Sequence, residues 1–204
     1  MTSLKRTKLR QCTNCLCVIN GVWEWVEECA REAADEEPAM RGILDDVCLS
    51  RNSLATSISA RLARKLSRRD MPRELIEPLI REALADEESI LSQIAHDLIA
   101  IVDRDPACRT PLEPLLFYKG FHAITTYRIS HWLWKHGRTI MALQFQSLAS
   151  EVFAVDIHPA AVIGCGILLD HATSFVVGET AIIRDNVSIL HEVTLGGTGK
   201  EEGD

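Results

Sequence analysis

The sequence predicts an α+β protein in which an all-helical N-terminal half leads into a parallel β-helix of short strands. Three observations carry this reading. Apolar residues recur every three to four positions up to Val152, the period changes to six beyond Val155, and the second stretch is dominated by β-branched residues and glycine. The six-residue frame runs Ile157, Ile163, Leu169, Phe175, Ala181, Val187 and Val193. Neither a helix, at 3.6, nor a single strand, at 2, has that period, so short segments must fold back and stack as coils.

The elements follow in chain order. In residues 1–20, Lys5, Arg6, Lys8 and Arg10 precede any acidic residue, and Cys12, Cys15 and Cys17 come next. A zinc site needs four ligands, usually in two separated pairs, and no second Cys/His pair lies at a suitable distance. The segment therefore reads as a variable, unstructured N-terminus, and no metal is expected. Its basic, acid-free composition leaves organellar import as an alternative to a cytoplasmic location.

Residues 21–153 read as one helical domain. Ser53 is an N-cap candidate before Leu54, Ile58, Leu62 and Leu66, with Arg61, Arg64, Lys65, Arg68 and Arg69 expected outward. Met71-Pro72 opens a second helix through Leu75, Ile76, Leu79, Ile80, Ala83 and Leu84, in which Pro78 predicts a kink or a later start. Ile90, Leu91, Ile94, Leu98, Ile99 and Val102 form the stripe of a third, with Gln93, His96 and Asp97 on other faces. Pro106 ends it. A long aromatic helix is predicted over 115–136, stopped by Gly137, and a short one over 139–152. The spacing of His122, His131 and His136 does not suit a helical metal pair, which makes them packing or surface residues. Residues 154–204 form the coil.

Composition narrows the function. The 204-residue chain is 47% hydrophobic, enough for a real core, and carries a formal net charge of -7, which argues against a nucleic-acid surface. The number of cysteines is odd, and Cys29, Cys48, Cys108 and Cys165 show no disulfide spacing, so a reducing compartment, the cytoplasm, is expected. No apolar run is long enough to span a bilayer, and no membrane association is expected.

Within the coil, Asp156, the pair Asp170-His171, and Glu179 stand out from an apolar background. Each alone fits a corner, where Asx-type turns favour such residues. Together they suit acid-base chemistry, because a carboxylate can fix the tautomer of a histidine and stabilise its imidazolium. If eighteen residues make one coil, Asp156 and His171, fifteen apart, lie on neighbouring rungs. His158 before Pro159 reads as a turn residue, and His191 is suggestive only.

The stretches Val155-Asp156-Ile157-His158-Pro159-Ala160-Ala161, Leu169-Asp170-His171-Ala172-Thr173 and Val176-Val177-Gly178-Glu179-Thr180-Ala181 closely resemble serine O-acetyltransferase, a hexapeptide-repeat acyltransferase. Thr194-Leu195-Gly196-Gly197-Thr198-Gly199-Lys200 continues the match. Arg104-Asp105-Pro106-Ala107, Lys119-Gly120-Phe121-His122-Ala123 and His131-Trp132-Leu133-Trp134 resemble its helical domain. The resemblance implies a left-handed β-helix and transfer of acetyl from acetyl-CoA to the hydroxyl of L-serine, for cysteine biosynthesis. By position, His171 is similar to the general base and Asp156 to the residue that orients it. Asp105 and Asp170 resemble the substrate carboxylates, and Gly196 and Gly197 fall where the acetyl-CoA groove is expected. The resemblance implies no metal or permanently bound cofactor, and a homo-oligomer, a trimer or a dimer of trimers.

The sequence stops at Gly203-Asp204, where the family continues into Arg-His-Pro. The expectation is an incomplete β-helix with an unpaired strand edge, an unfinished acetyl-CoA groove, little activity and poor solubility alone. Docking of O-acetylserine sulfhydrylase is not expected, because the family's C-terminal tail is missing. Two alternatives are a non-catalytic subunit or gene fragment acting only in assembly, and another hexapeptide acyltransferase with a different acceptor.

Overall fold

The structure, a computed structural model, describes residues 14–197. Helix α1 (Cys15–Glu36) begins inside the segment expected to be unstructured. Asn14 caps it by accepting the Leu16 N–H, and Val18, Ile19, Val22, Trp25 and Val26 bury one stripe. The Cys12 part of the N-terminal cysteine cluster lies outside the described residues. Among those residues, no group of three His, Cys, Asp or Glu side chains is placed to hold a metal ion. Cys48, Cys108 and Cys165 are free thiols.

A 3-10 turn (Pro38–Met40), the single-turn helix α2 (Arg41–Leu44) and a π turn (Asp45–Leu49) lead to α3 (Leu54–Leu66). Ser53 caps α3 as expected, accepting the Thr56 N–H at 3.3 Å. Arg61 does not point outward. It is buried and donates to the Leu116 carbonyl, because it lies two turns after Leu54 and so falls on the apolar stripe itself. Helix α4 (Arg73–Asp86) runs through Pro78 and buries Ile76, Ile80, Ala83 and Leu84. Next come α5 (Glu88–Arg104), α6 (Leu112–Phe117), α7 (Lys119–Lys135) and α8 (Thr139–Phe153).

The aromatic helix expected over 115–136 is thus two helices, broken at Tyr118, whose φ of -82° and ψ of 109° are extended. The break allows α7 to approach the coil closely. A methyl group on Gly120 would collide with the Leu169 carbonyl, so only glycine permits this contact. Helix α7 is buried on nearly every side from Gly120 to Leu133, which makes it the centre of the molecule.

Ala154, at φ 56°, turns the chain from α8 into the coil. Strands β1 (Val155–Ile157), β2 (Val162–Ile163), β3 (Leu168–Leu169), β4 (Phe175–Val177), β5 (Ile182–Ile183), β6 (Ser188–Ile189) and β7 (Thr194–Leu195) follow. All pair in parallel, in the orders β1-β4-β7, β2-β5 and β3-β6, so each face of the coil is one small sheet. Val155 pairs with Phe175, a step of twenty, whereas Val176 pairs with Thr194, a step of eighteen. The first coil is therefore two residues longer than three hexapeptides, and the extra residues lie in the turn Asp170–Ser174. The unbroken six-residue frame of the sequence crosses this insertion. It follows the second inward residue of each repeat up to Leu169, then passes to the first from Phe175 onward. Ile157, Ile163 and Leu169 are matched by Val177, Ile183 and Ile189, all buried.

Helices and coil are joined by buried polar contacts. Asp97, off the apolar stripe of its helix as expected, is nevertheless 1% exposed and bonds to the coil. Its carboxylate accepts Arg128 Nε–H at 2.9 Å, Arg128 Nη2–H at 2.6 Å and the Ile167 N–H at 2.8 Å. Arg128 also donates to the Gly164 carbonyl at 2.8 Å, and the Tyr127 hydroxyl to the Ala161 carbonyl at 2.5 Å. His131 bonds the Pro159 carbonyl, a structural role in keeping with its reading as a non-ligand.

His122 sits wholly inside the helical half. Its Nε2–H donates to the Leu115 carbonyl at 2.8 Å and its Nδ1 has no hydrogen-bond partner. Burial pulls its pKa down to about 3. With the folded value below the unfolded one, stability is fully present above pH 6.5 and is lost as pH falls toward 3. Lowering the pH from 7 to 5 should cost about 2 kcal/mol through this group alone. Urea unfolding at the two pH values checks it, and His122→Gln should remove that share of the pH dependence.

Candidate active site

The turn Asp170–Ser174 is built from conformations that L-residues adopt at a cost: φ is 56° at His171, 62° at Ala172 and 58° at Ser174. It is tied down on all sides. Ala172 N–H donates to the Asp170 carbonyl at 2.6 Å and Thr173 N–H to the His171 carbonyl at 2.8 Å, while Ser174 N–H reaches Ala154 at 2.9 Å. The Glu192 N–H from the next coil donates to the Thr173 carbonyl at 2.8 Å. Ala172 is the buried anchor, and His171 is thrown outward with 72% of its side chain exposed.

Five of the six candidate residues have a definite environment in the described structure. His171 Nε2 lies 3.8 Å from Asp170 Oδ2, so that pair is brought together. Asp156, on β1, accepts a hydrogen bond from Gln146 Nε2 at 2.6 Å and is aligned with Val176 across the sheet. Its carboxylate is thus held by α8. It shares a corner with His171 through the Ser174–Ala154 bond, two residues before it, rather than through a bond to the imidazole. Asp105 ends α5, where its Oδ1 accepts the Ala107 N–H at 2.8 Å and its carbonyl accepts the Cys108 N–H at 3.2 Å. Gly196 follows β7 and packs against Gly178, whose N–H donates to the Leu195 carbonyl at 2.7 Å. Gly197 is the last described residue and is exposed.

Other groups complete the corner. His191 stands on the next coil with its ring edge-on to that of His171, centroids 6.0 Å apart, because the turn after β6 stacks on the turn after β3. His158 serves its own turn, as expected, its Nδ1 accepting the Ala160 N–H at 3.1 Å. Arg104, beside Asp105, docks the end of α5 on the coil by donating to the carbonyls of Gly166 and Asn186 and to Ser188 Oγ. Burial pushes the Cys108 thiol up to about 12 and raises the Tyr118 phenol, and the carboxylates of Asp105 and Glu113 push both the same way. Both groups therefore stay protonated and serve as neutral hydrogen-bonding groups.

Sequence reasoning missed Gln146, Lys119 and Thr173. Gln146 lies on an apolar helix with no pattern to mark it. Lys119 and Thr173 stood inside the motifs quoted above, but nothing in their spacing paired them.

Residues 22–126 match the family model for the N-terminal domain of serine acetyltransferase. A serine acetyltransferase of Escherichia coli strain K12 is 48% identical over 183 residues, which is 90% of this chain and 67% of that relative. The chain belongs to the serine acetyltransferase family. Soybean serine acetyltransferase complexed with serine superposes with a TM-score of 0.87 at 48% identity, covering 90% of this chain and 75% of that one. A serine acetyltransferase in complex with CoA gives 0.85 at 45% identity, covering 87% and 75%. The coil is accordingly the left-handed parallel β-helix of that family, preceded by its helical domain. No helix among the described residues is long and apolar enough to cross a membrane.

Proposed function

We infer that the chain transfers acetyl from acetyl-CoA to the hydroxyl of L-serine, giving O-acetylserine, the step that commits serine to cysteine synthesis. The observation that carries the reading is an exposed imidazole, His171, held out on a rigid left-handed turn beside the Asp170 carboxylate. An imidazole presented this way can take the serine hydroxyl proton as the oxygen attacks the thioester carbonyl. The tetrahedral intermediate then expels CoA thiolate, which receives the proton back from the imidazolium. Asp156 supports the charge that develops on His171 from the same corner. Asp105 and Asp170 supply carboxylates for the ammonium and hydroxyl groups of serine, and Gly196 and Gly197 leave backbone accessible to acetyl-CoA.

The reaction needs no metal, since the base and the activated thioester supply the chemistry. The exposed, outward-facing Val162 and Ile182 on the β2-β5 face favour assembly of several copies around their coils, the trimer or dimer of trimers expected of this family.

Acceptor choice tests the reading. Thiol release from acetyl-CoA should rise at least tenfold above background with L-serine and stay near background with homoserine or amino sugars. Release driven by an amino sugar would point instead to another acyltransferase of the hexapeptide class, and none with any acceptor would favour a subunit that acts only in assembly.

A further inference from the structure

Charge is segregated at the start of the chain. Lys5, Arg6, Lys8 and Arg10 stand in a segment with no acidic residue, whereas Glu24, Glu27, Glu28, Glu32, Asp35, Glu36 and Glu37 follow with Arg31 as the only base among them. The acidic block is the C-terminal half of α1 and its cap. Negative charge is least favourable there, because the unpaired carbonyls already give a helix C-terminus partial negative charge, and no basic residue stands in the last turn. Arg31 is engaged by Glu27 at 2.5 Å, and Glu32 and Glu36 make no ion pair among the described residues.

These carboxylates edge a groove of about 320 Å³ between α1, the 3-10 turn and α6. Its floor is apolar, with Ala33, Met40, Leu112 and Phe117, and Phe117 is 57% exposed. Glu32, Glu36 and Glu37 stand on the α1 side and Glu113 on the α6 side. An apolar floor between carboxylates suits an extended peptide with bases on either side of an apolar residue. Lys8-Leu9-Arg10 has that pattern, and Leu4-Lys5-Arg6 adds a second apolar residue with two more bases.

The lengths agree as well. Residues 1–13 lie outside the described residues and join α1 at Asn14. Along α1, at 1.5 Å per residue, Cys29 lies about 21 Å and Glu36 about 32 Å from Cys15. An extended chain covers about 3.3 Å per residue, so a segment running back along α1 carries Lys8 about 20 Å and Lys5 about 30 Å from Asn14. Lys8 is then level with Cys29 and Lys5 with Glu36, the two ends of the α1 wall of the groove.

We propose that segment 4–10 of this chain docks in the acidic groove of the same chain as an extended strap along α1. Its leucines cover the apolar floor at Phe117, and its bases supply the cations that the last turn of α1 lacks. The proposal does not depend on the acetyl-transfer reading.

Carbodiimide coupling of the full chain tests it, since the reagent joins an amine to a carboxylate only where the two touch. At low ionic strength, peptide mapping should find Lys5 and Lys8 joined to Glu32, Glu36 or Glu37, with the yield falling at least about fivefold at about 0.5 M salt. In a mixture of isotopically light and heavy chains, each link should join peptides of one isotope. Replacing the four bases (Lys5→Ser, Arg6→Ser, Lys8→Ser and Arg10→Ser) should quicken amide exchange at Ala33, Ala34 and Glu36 about threefold. Glu32→Gln with Glu36→Gln should lower the melting temperature by about 2 °C in the native sequence. In the four-serine chain the same pair should raise it by about as much, because only repulsion and the helix dipole then act on the two carboxylates. Links between light and heavy chains overturn the proposal in favour of a second copy's segment. Links spread evenly over exposed carboxylates elsewhere, such as Glu74 and Glu88, or the same melting shift in both backgrounds, overturn the docking itself.

Discussion

Replacing His171 with asparagine is expected to reduce kcat for serine acetylation by about 10²- to 10⁴-fold, the range over which a positioned general base accelerates proton transfer. Asparagine is the informative choice because it tolerates positive φ nearly as well as histidine, so the turn at φ 56° should persist. With 72% of the side chain exposed, the substitution removes almost no packing and should leave the unfolding midpoint within about 0.5 kcal/mol of wild type. Binding of acetyl-CoA, measured by calorimetry, should be retained. A His171→Asn chain with near wild-type kcat would exclude this residue as the base, whatever its effect on KM.

The second large effect concerns stability. Asp97→Asn should destabilise the fold by about 3–5 kcal/mol, because it leaves the guanidinium of Arg128, 2% exposed, without its counter-charge. For a chain of this length that corresponds to a fall in melting temperature of roughly 10 °C. The asparagine oxygen can still accept the Ile167 N–H, which isolates the loss of charge from the loss of that bond. Replacing both partners, Asp97→Leu with Arg128→Met, should cost less than either single change, since neither charge then remains buried alone. Additive losses in that cycle would show that the pair contributes by packing only. Exposed pairs such as Arg138–Glu82, at 3.0 Å, should contribute under about 1 kcal/mol when broken.

Much of the fold was legible in the sequence because two periodicities are properties of local geometry. Ser53 and the stripe Leu54, Ile58, Leu62, Leu66 mark α3 through a cap and a 3.6-residue repeat, and both are present. Short strands with β-branched residues mark the coil just as directly. The failures arose where side-chain chemistry was used to infer direction. Arg61 was placed outward because charge favours water, and Asp97 was placed off the apolar stripe with no partner to bury it. Both are buried, each at a site where another element supplies hydrogen-bonding partners that no local pattern reveals: the Leu116 carbonyl for Arg61, and Arg128 with Ile167 for Asp97.

The candidate site shows the same division. The polar residues His171, Asp170 and Asp156 were visible against an apolar repeat, and the resemblance gave them roles. Their arrangement was not visible. The six-residue frame hid a two-residue insertion, because both inward positions of each repeat accept apolar residues, and a shift of two merely exchanges one for the other.

By itself, the sequence determined that a helical half precedes a stacked coil, and which polar residues stand out from the apolar repeat, because period, capping and residue type act over a few positions. Only the tertiary structure decided that His171 leaves the coil on an inserted left-handed turn, that Gln146 rather than His171 bonds Asp156, and that Lys119 at the start of α7 reaches Thr173 in that turn. Those facts depend on packing between segments tens of residues apart, where close approach at Gly120 and a buried ion pair at Asp97 fix distances that no local rule contains.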